Sequence, residues 1–108
     1  MKPYRLRPRA RGDRRAEVQY YRREAGARLA AKLVEAMAMA MAKALAALEI
    51  NPTIGLPALG KEIGIEGLRT WRVDGYPLSF WYFDRDDCID VLRLVGQRQD
   101  QGDMLIEG

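Results

Sequence analysis

Residues 67–95, GLRTWRVDGYPLSFWYFDRDDCIDVLRLV, decide the fold. Three runs rich in aromatic and β-branched residues are separated by turn formers, which predicts strands over 67–73, 76–83 and 88–95. Asp74-Gly75 is a strong two-residue hairpin signal, and 84–87 form a second turn. A tight first turn pairs Val73 with Tyr76, Trp71 with Leu78 and Arg69 with Phe80. The second pairs Tyr82 with Ile89, Phe80 with Val91 and Leu78 with Arg93. One face of this sheet then carries Trp71, Val73, Leu78, Phe80, Tyr82, Ile89, Val91 and Val95, and it should lie against the rest of the fold. Arg69 and Arg93 point to that same face. The other face is mixed, with Arg72, Trp81 and Asp90 among apolar neighbours.

Upstream, 51–67 is rich in glycine and proline and reads as a loop. Before it, the period is helical. Leu29, Leu33, Met37, Met41, Leu45 and Leu48 form one stripe of a helix from about 27 to about 49, stopped by Asn51 and Pro52. A first helix is expected from about 14 to 25, with Asp13 as its N-cap and Val18, Tyr21 and Ala25 facing inward. Gly26 ends or kinks it. So short a junction makes the two helices an antiparallel hairpin. Residues 3–9 alternate as a short strand limited by Pro3 and Pro8. The expected fold is α+β: an N-terminal strand, an antiparallel helix hairpin, then a three-stranded antiparallel sheet.

The chain of 108 residues fits one domain over 1–100, with a tail over 101–108. It has no histidine and a single cysteine, Cys88. That excludes His-dependent triads and an internal disulfide, removes the commonest general base, and leaves no expected metal or other cofactor. Neither a targeting signal nor a membrane span is seen, so a cytoplasmic location is expected. Residues 1–28 hold ten basic and three acidic side chains, net +7; residues 29–108 hold eight and twelve, net −4. The basic front end points to an acidic partner, either a protein or a nucleic acid.

The second helix is more apolar than a two-layer fold needs. Between 36 and 48 the only charge is Lys43, and Met39 falls on the wet face. Leu33, Met37, Met39, Met41 and Lys43 are therefore candidates for a docking surface.

The order of strand, helix hairpin, Pro52–Gly55 loop, "GLRTW" and "RDDCIDVLRLVGQRQD" resembles the RelE/ParE superfamily of toxins from type II toxin–antitoxin modules, the ParE branch above all. Asp13 and Tyr21 fit the first helix; Trp71, Val73 and Gly75 fit the first strand; Tyr82, Arg85, Val91, Arg93, Arg98 and Asp100 fit the last hairpin and its exit. The chain departs from the pattern at Cys88 and Gly96, where many relatives carry histidine.

The resemblance implies a bacterial toxin restrained by a cognate ParD-like or similar DNA-binding antitoxin, as a homodimer or as a heterotetramer with it. A ParE-like member acts on DNA gyrase by binding, without cutting. Arg72, Trp81, Arg93 and Arg98 are then the candidate target contacts, and the docking set on the second helix meets the antitoxin. A RelE-like member cleaves mRNA on the ribosome. Arg69, Arg93 and Arg98 would then stabilise phosphorane charge and Tyr82 would act as a weak acid, with no good base in view. An inactive antitoxin-binding relative is a third reading. Structural roles compete with these: Arg93 can pair with Asp13, Glu17 or Asp100, Trp81 can pack in a core, and Met104, Leu105 and Ile106 can add a short strand or simply trail.

Overall fold

The computed structural model describes residues 1–96; Arg98, Asp100 and the 101–108 tail lie outside the described residues. The elements are β1 (Tyr4–Leu6), α1 (Pro8–Ile50), α2 (Ala58–Ile63), β2 (Leu68–Arg72), β3 (Leu78–Asp84) and β4 (Ile89–Gly96). The α+β architecture is the expected one.

The helix begins earlier than the sequence signals suggest. Asp13 is not its N-cap; the helix starts at Pro8, whose fixed φ suits a first helical position, and Arg7 stands extended before it. Arg7 also donates its backbone N–H to the Val91 carbonyl at 3.0 Å, tying the helix start to the sheet. The hairpin follows from one residue. A straight helix of this length would span about 64 Å, yet the longest dimension of the molecule is 42 Å. Gly26, at φ 77° and ψ 164°, breaks the helix and turns its second arm back along the first. Only a residue without a Cβ adopts that backbone readily.

Met37, Met41, Ala44, Leu45 and Leu48, on one side of the second arm, are buried against Val73, Leu78, Phe80, Tyr82, Ile89, Val91 and Leu94 of the sheet side. Each large side chain sealed this way contributes about 2 kcal/mol. Leu29 departs from the expected stripe: it is 55% exposed. Between Glu17 and Met37 Ala30 is the one buried residue, so the tip of the hairpin is mostly solvated.

The sheet has four strands, in the order β1-β4-β3-β2. The N-terminal strand joins it, parallel to β4, with Tyr4 opposite Ile89 and Leu6 opposite Val91. The first hairpin is two residues out from the tight-turn register: Trp71 pairs with Phe80 and Arg69 with Tyr82. The Val73 N–H donates to the Leu78 carbonyl at 2.9 Å, so 74–77 form a longer loop with Gly75 at φ 82°. Pro77, which lacks an N–H, is left in that loop rather than in the ladder. A shift of two preserves the faces. The second hairpin does not. Its register jumps between Tyr82↔Val91 and Trp81↔Arg93, which makes Leu92 the extra residue of a β-bulge. Beyond the bulge every side chain changes face: Leu94 turns into the main core, while Arg93 and Val95 join Trp81 on the other side. The expectation that Arg69 and Arg93 share a face is therefore overturned.

The reading of 51–67 as loop alone is also corrected. Residues 58–63 are helical, and Leu59, Ile63 and Ile65 cover Leu68, Trp81 and Val95 in a small second core. Gly60 permits this close seat, since a Cβ there would stand 2.6 Å from the Leu68 carbonyl oxygen.

Candidate functional site

The candidate residues of the sheet end separate into two structural sets. Arg69 and Tyr82 are cross-strand partners on the helix-facing side, and both bind the loop after α1. The Tyr82 hydroxyl donates to the Pro52 carbonyl at 2.6 Å and accepts from the Gly55 N–H at 3.0 Å. Arg69 Nη1 donates to the Thr53 and Gly55 carbonyls at 3.2 and 2.7 Å. Asn51 tightens the same loop by accepting from the Thr53 N–H and hydroxyl, and Leu56 bridges to Thr70 on the sheet edge. Tyr82 is fully buried, and that burial raises its phenol above the ordinary value of 10.0, against the pull of the Gly55 N–H and Arg69.

Arg93 lies across the sheet from this pair. Its Nε and Nη2 donate to Asp13 Oδ2 and Oδ1 at 2.8 and 3.0 Å, and it is 8% exposed. Of the partners open to it in the sequence, Asp13 stands at bonding distance, and Asp100 lies outside the described residues. Trp81 is buried between β-strands and α2, whereas Arg72 is exposed. The structure thus brings Arg69 to Tyr82 and Arg93 to Trp81, and keeps the two pairs on opposite faces. Arg98 lies outside the described residues. Burial also raises the Cys88 thiol, with the Asp87 charge acting in the same direction, so it stays protonated near neutral pH. Among the described residues no cluster of three His, Cys, Asp or Glu is placed to hold a metal, and no helix is long and apolar enough to cross a membrane.

The docking set proposed on the second arm is divided by the helix geometry. Met37 and Met41, one turn apart, point inward and are 1% and 5% exposed; Leu33 is half-buried. Met39 and Lys43 share the outer face, Met39 at 69% exposure. The five residues cannot form one surface, because positions two apart on a helix point to nearly opposite sides.

A more continuous apolar surface lies between the arms, and the sequence stripe did not disclose it. A groove of about 440 Å³ runs between Ala10, Val18 and Arg22 on one arm and Val34, Ala38, Met41, Ala42 and Leu45 on the other, with Leu6 and Phe80 beneath. Arg14, Arg15 and Arg22 line its first-arm side. The available signal was the pair of small residues one turn apart, Ala38 and Ala42, which leave room where larger side chains would fill the seam. Arginines over an apolar floor suit a segment that is apolar on one side and acidic along its edge.

The ParE toxin family of the parDE type II toxin–antitoxin system matches residues 4–101 of the chain. No curated protein sequence matches at a significant level. Among solved structures, the chain is similar to a chromosomal ParDE toxin–antitoxin system from P. aeruginosa. The TM-score is 0.69 at 21% identity, with 89% of this chain and 96% of the other covered. At that identity the likeness shows a shared fold. The family match covers nearly the whole chain, and by it the chain belongs to the ParE toxin family of type II toxin–antitoxin systems.

Proposed function

We propose that this chain is a toxin that acts by binding DNA gyrase and is neutralised when a segment of its cognate antitoxin occupies the groove between the arms of α1. The observation that carries the reading is the employment of the polar residues at the sheet. Arg69 and Tyr82 are bonded to the loop at 52–55, and Arg93 is paired with Asp13. A ribonuclease site needs such groups convergent and available to a phosphate, and here they stand on opposite faces with partners already in place. Action through surfaces requires no such convergence. The groove, with its apolar floor and the guanidiniums of Arg14, Arg15 and Arg22, supplies a site for the antitoxin, and exposed Arg72 is a candidate contact with gyrase.

The test is a supercoiling assay with purified gyrase and the full chain, run beside ribosome-dependent cleavage of a reporter mRNA. Inhibition of supercoiling, relieved by the antitoxin, with intact mRNA is the expected result. Defined mRNA fragments with supercoiling unaffected would overturn the reading in favour of a RelE-like nuclease. Inactivity in both assays, with normal growth of cells expressing the chain alone, would leave an antitoxin-binding relative.

A further inference from the structure

The groove draws on only Arg14 and Arg15 of the densest run of charge in the sequence. Arg5, Arg7, Arg9, Arg11, Arg14 and Arg15 fall within eleven residues, and the fold gathers four of them around one open hollow at the outer edge of the sheet. Its lining is Tyr4, Arg5, Leu6, Arg7, Arg11, Arg14 and Asp90. Two details keep this patch positive. Asp13, the one acidic residue in the same stretch, is turned toward β4, where Arg93 and the Leu94 N–H take its carboxylate. Asp90, the one carboxylate in the hollow among the described residues, is held by Arg7 through both oxygens at 3.0 and 2.7 Å, with Arg85 Nε at 3.3 Å. Arg5, Arg11 and Arg14 are exposed. Arg11 is fixed over the end of β1 by its Nε bond to the Leu6 carbonyl at 3.2 Å, which uses one of its five donors.

We infer that this edge is a contact surface for the phosphate backbone of duplex DNA. Arg7, Arg11 and Arg14 recur once per turn along the helix start, roughly 5.4 Å apart along the axis, and Arg5 extends the row onto the strand. A line of guanidiniums matches a polymer whose charge also recurs along a line, and the planar fork pairs with phosphate oxygens two at a time. An acidic protein is the weaker fit. A protein contact is anchored by apolar side chains entering a closed pocket, and this hollow is open, with Tyr4 and Leu6 its only apolar lining among the described residues. The inference is independent of whether gyrase is the target.

Binding of the full chain to a fluorescein-labelled 20-base-pair duplex of arbitrary sequence, followed by anisotropy, tests it. With the guanidiniums of Arg5, Arg11 and Arg14 engaged, the affinity should fall about 40-fold between 50 and 200 mM NaCl, from counterion release with a slope of about −2.7. The triple charge reversal Arg5→Glu, Arg11→Glu, Arg14→Glu should weaken duplex binding at least ~50-fold at 50 mM, by loss of three phosphate contacts, with an unchanged circular dichroism spectrum. The reversal Lys32→Glu, on the far hairpin, should leave binding close to the parent value. Duplex affinity unaffected by the triple reversal would overturn the proposal. So would tighter binding of a polyglutamate peptide than of the duplex, which would mark the edge as a site for acidic protein.

Discussion

Asp13 and Arg93, eighty residues apart in the chain, form a two-pronged ion pair that closes the sheet at the point where its edge strand stops. β1 pairs with β4 only as far as Leu6 and Val91. Beyond it β4 would show a bare edge. The first arm of α1 lies there instead, and Asp13 Oδ2 accepts the Leu94 N–H at 2.9 Å in place of a strand carbonyl. One carboxylate therefore satisfies both a guanidinium and a ladder amide.

Replacing Asp13 with Ala should destabilise the fold by about 3 kcal/mol, because a nearly buried guanidinium and an edge amide lose their acceptor together. That is a large share of a typical stability of about 5–15 kcal/mol. Urea denaturation of the variant reads it as a lower midpoint. Asp13→Asn keeps one acceptor oxygen and should cost less than Asp13→Ala. Equal costs for the two would show that the amide bond to Leu94, which both variants treat differently, contributes nothing.

Tyr82→Phe removes a hydroxyl that both donates and accepts in a buried position, leaving the Gly55 N–H and the Pro52 carbonyl without it. The expected loss is about 1–3 kcal/mol of stability. At a temperature where the variant is folded, gyrase inhibition should survive, since the buried hydroxyl is bonded to the loop at 52–55. A Gly55→Ala variant should fail more severely, because its methyl would collide with the Tyr82 ring and hydroxyl.

The alternation in 67–95 was enough to place three strands, and the stop at Asn51-Pro52 and the break at Gly26 both mark real ends. What escaped the sequence were features set by contacts far along the chain. Asp13 has the chemistry of an N-cap, and nothing local tells that Pro8 starts the helix and leaves Asp13 free to meet Arg93. The bulge at Leu92 is invisible to a period-two reading, since the residues on both sides of it alternate well. One extra residue moved Arg93 from the face of Arg69 to that of Trp81. The short helix at 58–63 hid because glycine and proline flank it and its stability comes from covering Trp81 rather than from propensity. Burial of Met37 and Met41 followed the stripe; the groove between the arms depended on how two helices set side by side, which no single helix pattern contains.

Acid should reveal the second carboxylate that the arginines hold. The bond from Arg7, supported by its charge and by Arg85, keeps Asp90 below its ordinary value of 3.8 despite partial burial. A carboxyl whose value is lower folded than unfolded adds stability that is present above about pH 4 and is lost as the pH falls through the folded value. Urea midpoints measured from pH 7 downward should therefore drop more steeply for the parent than for Asp90→Asn, the two curves converging at the acid end. Added salt should narrow the gap at neutral pH, because Arg7 and Arg85 are partly exposed. Parallel curves would show that the pair contributes nothing to folding.

The groove can be separated from the target-facing surface by filling it. Ala38 and Ala42 lie exposed along its second-arm side, one turn apart, so Ala38→Trp adds bulk into the groove without removing a core contact. It should weaken capture by the antitoxin at least about tenfold, equivalent to about 1.4 kcal/mol, while leaving gyrase inhibition intact. The double reversal Arg15→Glu, Arg22→Glu removes the charge on the opposite wall and should act in the same direction, more strongly at low salt than at high. Titration of each variant with the antitoxin by calorimetry, beside a supercoiling assay without it, gives both readouts. If antitoxin affinity is unchanged in both variants, the antitoxin docks elsewhere, and the outer face at Met39 and Lys43 becomes the surface to alter next. If supercoiling inhibition is lost as well, the groove meets gyrase and antitoxin alike, and neutralisation is direct competition for one site.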